Sequence, residues 1–164
     1  MNLTFPQFLR YTQEERDKWR TWFVVAHPDA MEVELQPGGR YPTVGSLIDH
    51  IFLVERRHLQ RLTNMPLDTK TGLSGKHATP LFDYGASVRR ELEQFASQLD
   101  DDAADEPRTF TVASGGDFVL TPRKLLFHIL LHETRHWAQI ALAVRRAGLE
   151  PPGNHDLFYS KALK

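Results

Sequence analysis

Residues 121–148 read TPRKLLFHILLHETRHWAQIALAVRRAG, and the reading of this stretch decides the fold. Thr121 is a helix N-cap, and Pro122 stands at the first helical position, where its missing N–H costs nothing. Gly148 then stops the run just past its end. The apolar residues Leu125, Phe127, Ile129, Leu131, Ala138, Ile140, Leu142 and Val144 lie almost all round this helix. Such a helix must be covered on more than one side. The other helices of a bundle supply one cover. A second subunit is expected over the outer positions Phe127, Leu131, Ala138 and Leu142, which makes the protein a homodimer.

Outward from that helix, three more segments carry helical patterning. The first runs from Phe5 to Ala26, with Phe8, Tyr11, Trp19, Trp22 and Phe23 at helical spacing, and ends before His27-Pro28. A loop, HPDAMEVELQPGGRYP, leads to Thr43, the expected N-cap of a second helix over 44–63 with Leu47, Ile51 and Val54 on one stripe. A third helix starts at Pro80, with Leu81, Val88, Leu92, Phe95 and Leu99 along a bundle seam. The acidic run DDDAADEP (100–107) reads as a solvated linker. RTFTV and DFVLT flank Ala113-Ser114-Gly115-Gly116, the pattern of a short β-hairpin before the last helix. The expected fold is therefore mainly all-α, a four-helix bundle with one short hairpin, in a single domain over 1–164.

Composition narrows the function classes. The chain has 164 residues, 41% hydrophobic and 25% charged, as in an ordinary globular domain. A formal net charge of -1 offers no basic field for nucleic acid or an anionic membrane. No stretch has the roughly 18 uncharged apolar residues of a membrane span, and residues 1–19 lack the pattern of a signal peptide, so the cytoplasm is the expected location. The absence of cysteine removes disulfides, thiolate nucleophiles and thiolate metal ligands. Eight histidines remain as the conspicuous chemical resource.

His128, His132 and His136 stand four residues apart on the last helix. Neighbours at that spacing are about 40° apart around the axis and roughly 6 Å apart along it, so two imidazoles can converge on one ion. All three would span roughly 12 Å, too far for one first shell. Chance alone gives roughly 0.4 HxxxH pairs at this histidine content, so the spacing by itself decides little; requiring Glu after the first His lowers this to roughly 0.02. That singles out His132 and His136. Stacked on the apolar face of Leu125, Ile129, Ile140 and Ala143, histidines without a metal would bury ring nitrogens that each need a hydrogen-bond partner. The third ligand should face inward from another helix. His50 shares the stripe of Leu47, Ile51 and Val54; His58, about 80° further round, is less favourably placed. His27, His77 and His155 fall in loops.

His132-Glu133-Thr134-Arg135-His136 also matches HExxH, the zinc-peptidase signature in which Glu is the general base. Its extended form requires Gly and a third His downstream, where this chain has Gln139 and Leu142. The first helix rich in aromatics, the second opening TVGSLIDHIFLVERRHLQRL, and the last with HxxxH followed by AQI and LAVRRAG together resemble the DinB-like superfamily, also called YfiT-like metal-dependent enzymes. The likeness spans nearly the whole chain. It implies a four-helix bundle, commonly dimeric, with a three-His site for zinc, nickel or a similar divalent ion such as iron or manganese, and it assigns that site to His50, His132 and His136. Trp137 and Ala138 stand where Arg and Gly are frequent in the superfamily. Its members include S-transferases that use low-molecular-weight thiols, a thiol-dependent isomerase and metal-dependent hydrolases.

Three protein ligands leave an open position, as in catalytic rather than structural sites. The expected substrate is a small molecule, and any thiol must come from outside the chain. Glu133 lies about 100° from His132 and about 60° from His136 around the helix, at the border of the metal face, and is the candidate general base. Its alternative is a rim residue paired with Arg135 or solvent. Arg57, Arg135 and Gln139 are candidate substrate-binding groups; for the two arginines the alternative is a solvated or salt-bridged surface role. The competing function is a non-catalytic bundle whose metal is structural or sensed.

Overall fold

The computed structural model describes residues 3–111 and 116–162. Four long helices form the bundle: α1 (Phe5–Thr21), α2 (Val44–Leu62), α3 (Ala78–Gln98) and α5 (Pro122–Arg146). The short helix α4 (Asp101–Asp105) and the strands β1 (Arg108–Thr111) and β2 (Asp117–Leu120) lie between α3 and α5. α2 packs on α3 and α5, and α1 packs on the same two helices, so the order around the bundle is α1, α3, α2, α5.

The ends of these helices follow from their residues. Thr4 and Thr43 each close a capping box, with Gln7 and Ser46 reaching back to the cap N–H. Thr121 accepts from Lys124 N, and Pro122 begins α5 as expected. At the other end Gly148 takes φ +81°, while Gly148 N donates to Arg145 O and Leu149 N to Val144 O, satisfying carbonyls the helix leaves open. α1 runs on through a π-helical turn, Trp22–Ala26, so helical structure ends at Ala26 before His27-Pro28.

β1 and β2 pair antiparallel, Arg108 opposite Leu120 and Phe110 opposite Phe118. Val112 and the expected turn at Ala113-Ser114-Gly115 lie outside the described residues. The acidic run departs from its reading as a linker. Asp100 caps α4 by accepting from Ala103 N, Ala104 is buried, and Arg123 of α5 pairs with Asp101 and Asp105. Two acids in the first turn favour the helix N-terminus, and a cation from α5 offsets their repulsion.

The core has two apolar halves. One contains Trp19, Phe23, Ile48, Ile51, Phe52, Leu81, Phe82, Trp137 and Ile140; the other contains Phe8, Leu9, Leu59, Leu62, Leu92, Leu126, Ile129 and Leu130. Along every long helix the change from one half to the other falls at a buried charged residue: Arg16, Glu55, Arg89 and Glu133. Phe127 packs against Phe5 and Phe8, so α1 covers it and it does not await a second subunit. Leu131 and Leu142 remain exposed.

α2 starts against the loop that ends it. A Cβ on Gly45 would lie 1.7 Å from the carbonyl oxygen of Gly75, leaving no room for a side chain. Gly45→Ala must displace the 63–77 loop or the first turn of α2, and we expect it to destabilise the protein by about 1–3 kcal/mol. Chemical denaturation reads this directly. An unchanged midpoint would show that the backbones separate at no cost.

Candidate metal centre

His50 projects from α2, and His132 and His136 from α5, onto one another. One ring nitrogen from each lies within 4.8 Å of the other two, and all three side chains are half-buried. His132 Nε2 and His136 Nε2 are 3.1 Å apart. Two nitrogens bound to one ion at about 2.0–2.1 Å lie about 2.8–3.4 Å apart for bond angles between a right angle and the tetrahedral value. The pair on α5 fits that range. Among the described residues no fourth histidine or carboxylate joins the group.

The outer edges of two rings are held. His136 Nδ1 lies 2.6 Å from Gln139 Oε1, which can only accept, so Nδ1 carries the proton and the lone pair of Nε2 faces the cluster. Tyr41 Oη is 2.7 Å from His50 Nδ1, and its ring stacks on the imidazole. Sequence reasoning named Gln139 as a substrate-binding group and missed Tyr41, which sits in an irregular loop without periodicity to place it.

Burial lowers the pKa of all three imidazoles, that of His50 to about 4 and that of His132 to about 3. Mutual repulsion with neighbouring imidazoles adds to the effect at His50 and His132. The rings are therefore neutral near pH 7, the form that ligates metal. In the unfolded chain they take up protons more readily, so the metal-free protein holds its full stability above about pH 6.5 and loses it as pH falls toward the folded values. We expect its Tm to drop between pH 6.5 and 5, above the ordinary carboxylate range, and His132→Asn to flatten that slope. A flat wild-type profile in this window contradicts the burial argument.

Two further histidines continue the row. His58 and His128 have ring centroids 5.3 Å apart, and His128 lies 5.9 Å from His132. Neither belongs to the ligand group.

Glu133 lies elsewhere than its expected place at the metal border. It is 1% exposed and points into the bundle. Arg16 Nε donates to its Oε1 at 2.9 Å, Arg16 Nη2 to its Oε2 at 2.7 Å, Trp137 Nε1 to Oε1 at 2.9 Å, and Arg89 to Oε2. Glu55 completes the group, 2.7 Å from both Arg16 and Arg89. Burial by itself raises the pKa of Glu133, but the two guanidiniums more than reverse this and keep it ionised. With both oxygens engaged by donors it has no lone pair directed at the imidazoles. Nor is it paired with Arg135, the alternative read from sequence. The charged quartet was missed as a unit, yet each helix signalled it by placing one charged residue on its apolar stripe, as Glu55 stands between Ile51 and Leu59.

The arginines also separate. Arg57 donates to the carbonyls of Asp68 and Thr69 and so pins the loop after α2. Arg135 is exposed. A cavity of about 380 Å³ opens beside the cluster, lined by His136, Gln139, Tyr41, Arg40, Arg146 and apolar side chains that include Leu47 and Leu142.

The DinB family model matches residues 1–162. This chain belongs to the DinB family. A DinB-like protein from Bacillus cereus ATCC 10987, solved by crystallography, has the same fold: TM-score 0.67 at 21% identity, covering 90% of this chain and 95% of that one. No curated protein matches. The family assignment agrees with the resemblance carried by the second and last helices. No helix among the described residues is long and apolar enough to cross a membrane.

Proposed function

We propose that this DinB-family protein is a metal-dependent enzyme that holds one divalent ion on His50, His132 and His136 and transfers a group to an exogenous thiol. The observation that carries the reading is the incomplete ligand set. Three imidazoles converge with no fourth protein ligand among the described residues, and a cavity reaches His136. A structural site would be closed; a site with one position free admits substrate. All-imidazole donors suit zinc, nickel or iron better than the harder cations.

The ion, when bound, supplies Lewis acidity, which lowers the pKa of a thiol or polarises an oxygen. Gln139 and Tyr41 fix the rings that hold it. Glu133 is engaged by Arg16, Arg89 and Trp137 and supplies no base at the cluster. That disfavours the peptidase reading, which needs Glu133 to take a proton from water, and favours a nucleophile acidic enough to need no protein base. A thiol, with a pKa of about 8–9, meets that condition. Its sulfur forms a bond to the electrophilic carbon, the leaving group departs with the bonding pair, and the thiol proton passes to the leaving group or to water. A reducing cytoplasm suits such a substrate.

Protein reconstituted with zinc or nickel should conjugate a small thiol to an activated halide, faster than the uncatalysed reaction and only with metal. Hydrolysis without any thiol requirement would overturn the thiol reading. We also propose that a second copy of the chain covers Leu131, Ala138 and Leu142, which share one exposed stripe of α5 within about 40°. Sedimentation at micromolar concentration should give a dimer; a monomer throughout contradicts this.

A further inference from the structure

We propose that the cavity beside His136 binds the carboxylate of a small organic acid, with Arg40 and Arg146 as its anchors. The inference rests on the enzymatic reading above for its purpose, though not for its geometry. Arg146 lies seven residues after Gln139 on α5, a displacement of about 20° around the helix, so both side chains project on one face. Arg40 reaches the same cavity from the loop before α2, its guanidinium 5.4 Å from the centroid of the Tyr41 ring.

Charge decides the class of ligand. Among the described residues, the lining contains two arginines and no aspartate or glutamate. Arg16, Arg20, Arg56, Arg89 and Arg123 each pair with a carboxylate of the chain; among the described residues Arg40 and Arg146, like the other arginines of the chain, have none within 4 Å. A single unpaired arginine on a surface is ordinary. Two that line one concave site with no acid leave a positive field for a ligand to satisfy, and a guanidinium meets a planar carboxylate through two parallel hydrogen bonds.

Size and polarity narrow it further. A volume of about 380 Å³ admits a small molecule, and Leu35, Leu47, Leu142 and Ala143 add apolar surface to the cavity that the arginines and His136 also line. A ligand that fits has a carboxylate at one end and a short carbon chain along that surface. Because His136 lines the same cavity, a ligand held there is beside the imidazole cluster, where chemistry would occur. Inorganic phosphate satisfies the charge but not the apolar surface.

Amide NMR titrations of the full chain with hexanoate, hexylamine and inorganic phosphate test the proposal. Both metal-free and zinc-loaded protein should be titrated. Hexanoate should bind saturably in both, shifting the amides of Tyr41, Leu47 and Gln139, while hexylamine and phosphate should not. Arg40→Gln and Arg146→Gln should each weaken hexanoate by about 10-fold with unchanged metal content, as loss of a charge-assisted bond implies. No saturable binding, equal binding of hexylamine or phosphate, or unaltered affinity in both variants overturns it. Because zinc content is measured separately, zinc binding without hexanoate binding sinks this inference alone. Hexanoate binding in protein that takes up no metal sinks the metal reading alone.

Discussion

Glu133→Gln should destabilise the protein by about 3–5 kcal/mol, the usual cost of removing one member of a buried ion pair. For a chain of this length that lowers Tm by about 6–20 °C. The substitution removes one of the two charges that offset the buried guanidiniums and turns an amide N–H₂ toward donors that need an acceptor. Metal content of the folded variant should stay at the wild-type level, since neither carboxylate oxygen faces the imidazoles. The quartet also fixes register. Each long helix contributes one charge at the boundary between the two apolar halves, and sliding any helix by a turn would leave that charge buried without its partners. Denaturation and elemental analysis of the same sample check both statements. A variant of wild-type stability that has lost thiol transfer would make Glu133 a participant in the reaction and reverse our assignment.

The ligand variants should show the other large effect. His50→Ala and His136→Ala should each weaken metal binding by at least about 10²-fold, beyond the 10–100-fold typical of groups that only orient a ligand. His58→Ala and His77→Ala should leave tight binding intact. His58 is the demanding control, because burial holds its pKa down to about 3 and it stands beside His128 in the same row of rings. If His58→Ala releases the metal and His50→Ala does not, the ion sits further along that row. Competition with a chromophoric chelator measures all four variants.

Helical periodicity and cap residues made much of this fold legible. Thr43, Thr121, Pro122 and Gly148 mark helix boundaries that the structure reproduces, and period-2 patterning on either side of 113–116 announced β1 and β2. The convergence of His50 with His132 and His136 was also legible, because position on a helix fixes the face a side chain occupies. Other features depend on what a neighbour does. α4 forms within an acidic run because Arg123, more than a dozen residues later, neutralises it. Phe127 looked outward on α5 until α1 was placed over it. Glu133 was misplaced for the same reason: an angle on one helix says how far it lies from His132, not that Arg16 and Arg89 wait on the other side. Tyr41 and Arg40, in a loop with no period, gave no signal at all.

The central claim is that the imidazole cluster holds one metal ion, and its stoichiometry is the most direct test. Tag-free protein, stripped with chelator, reconstituted with zinc or nickel and desalted, should carry one ion per chain by elemental analysis, and His132→Ala treated in parallel should carry none. Wild-type protein that retains no metal after this treatment, or His132→Ala that retains as much as wild type, would contradict the account.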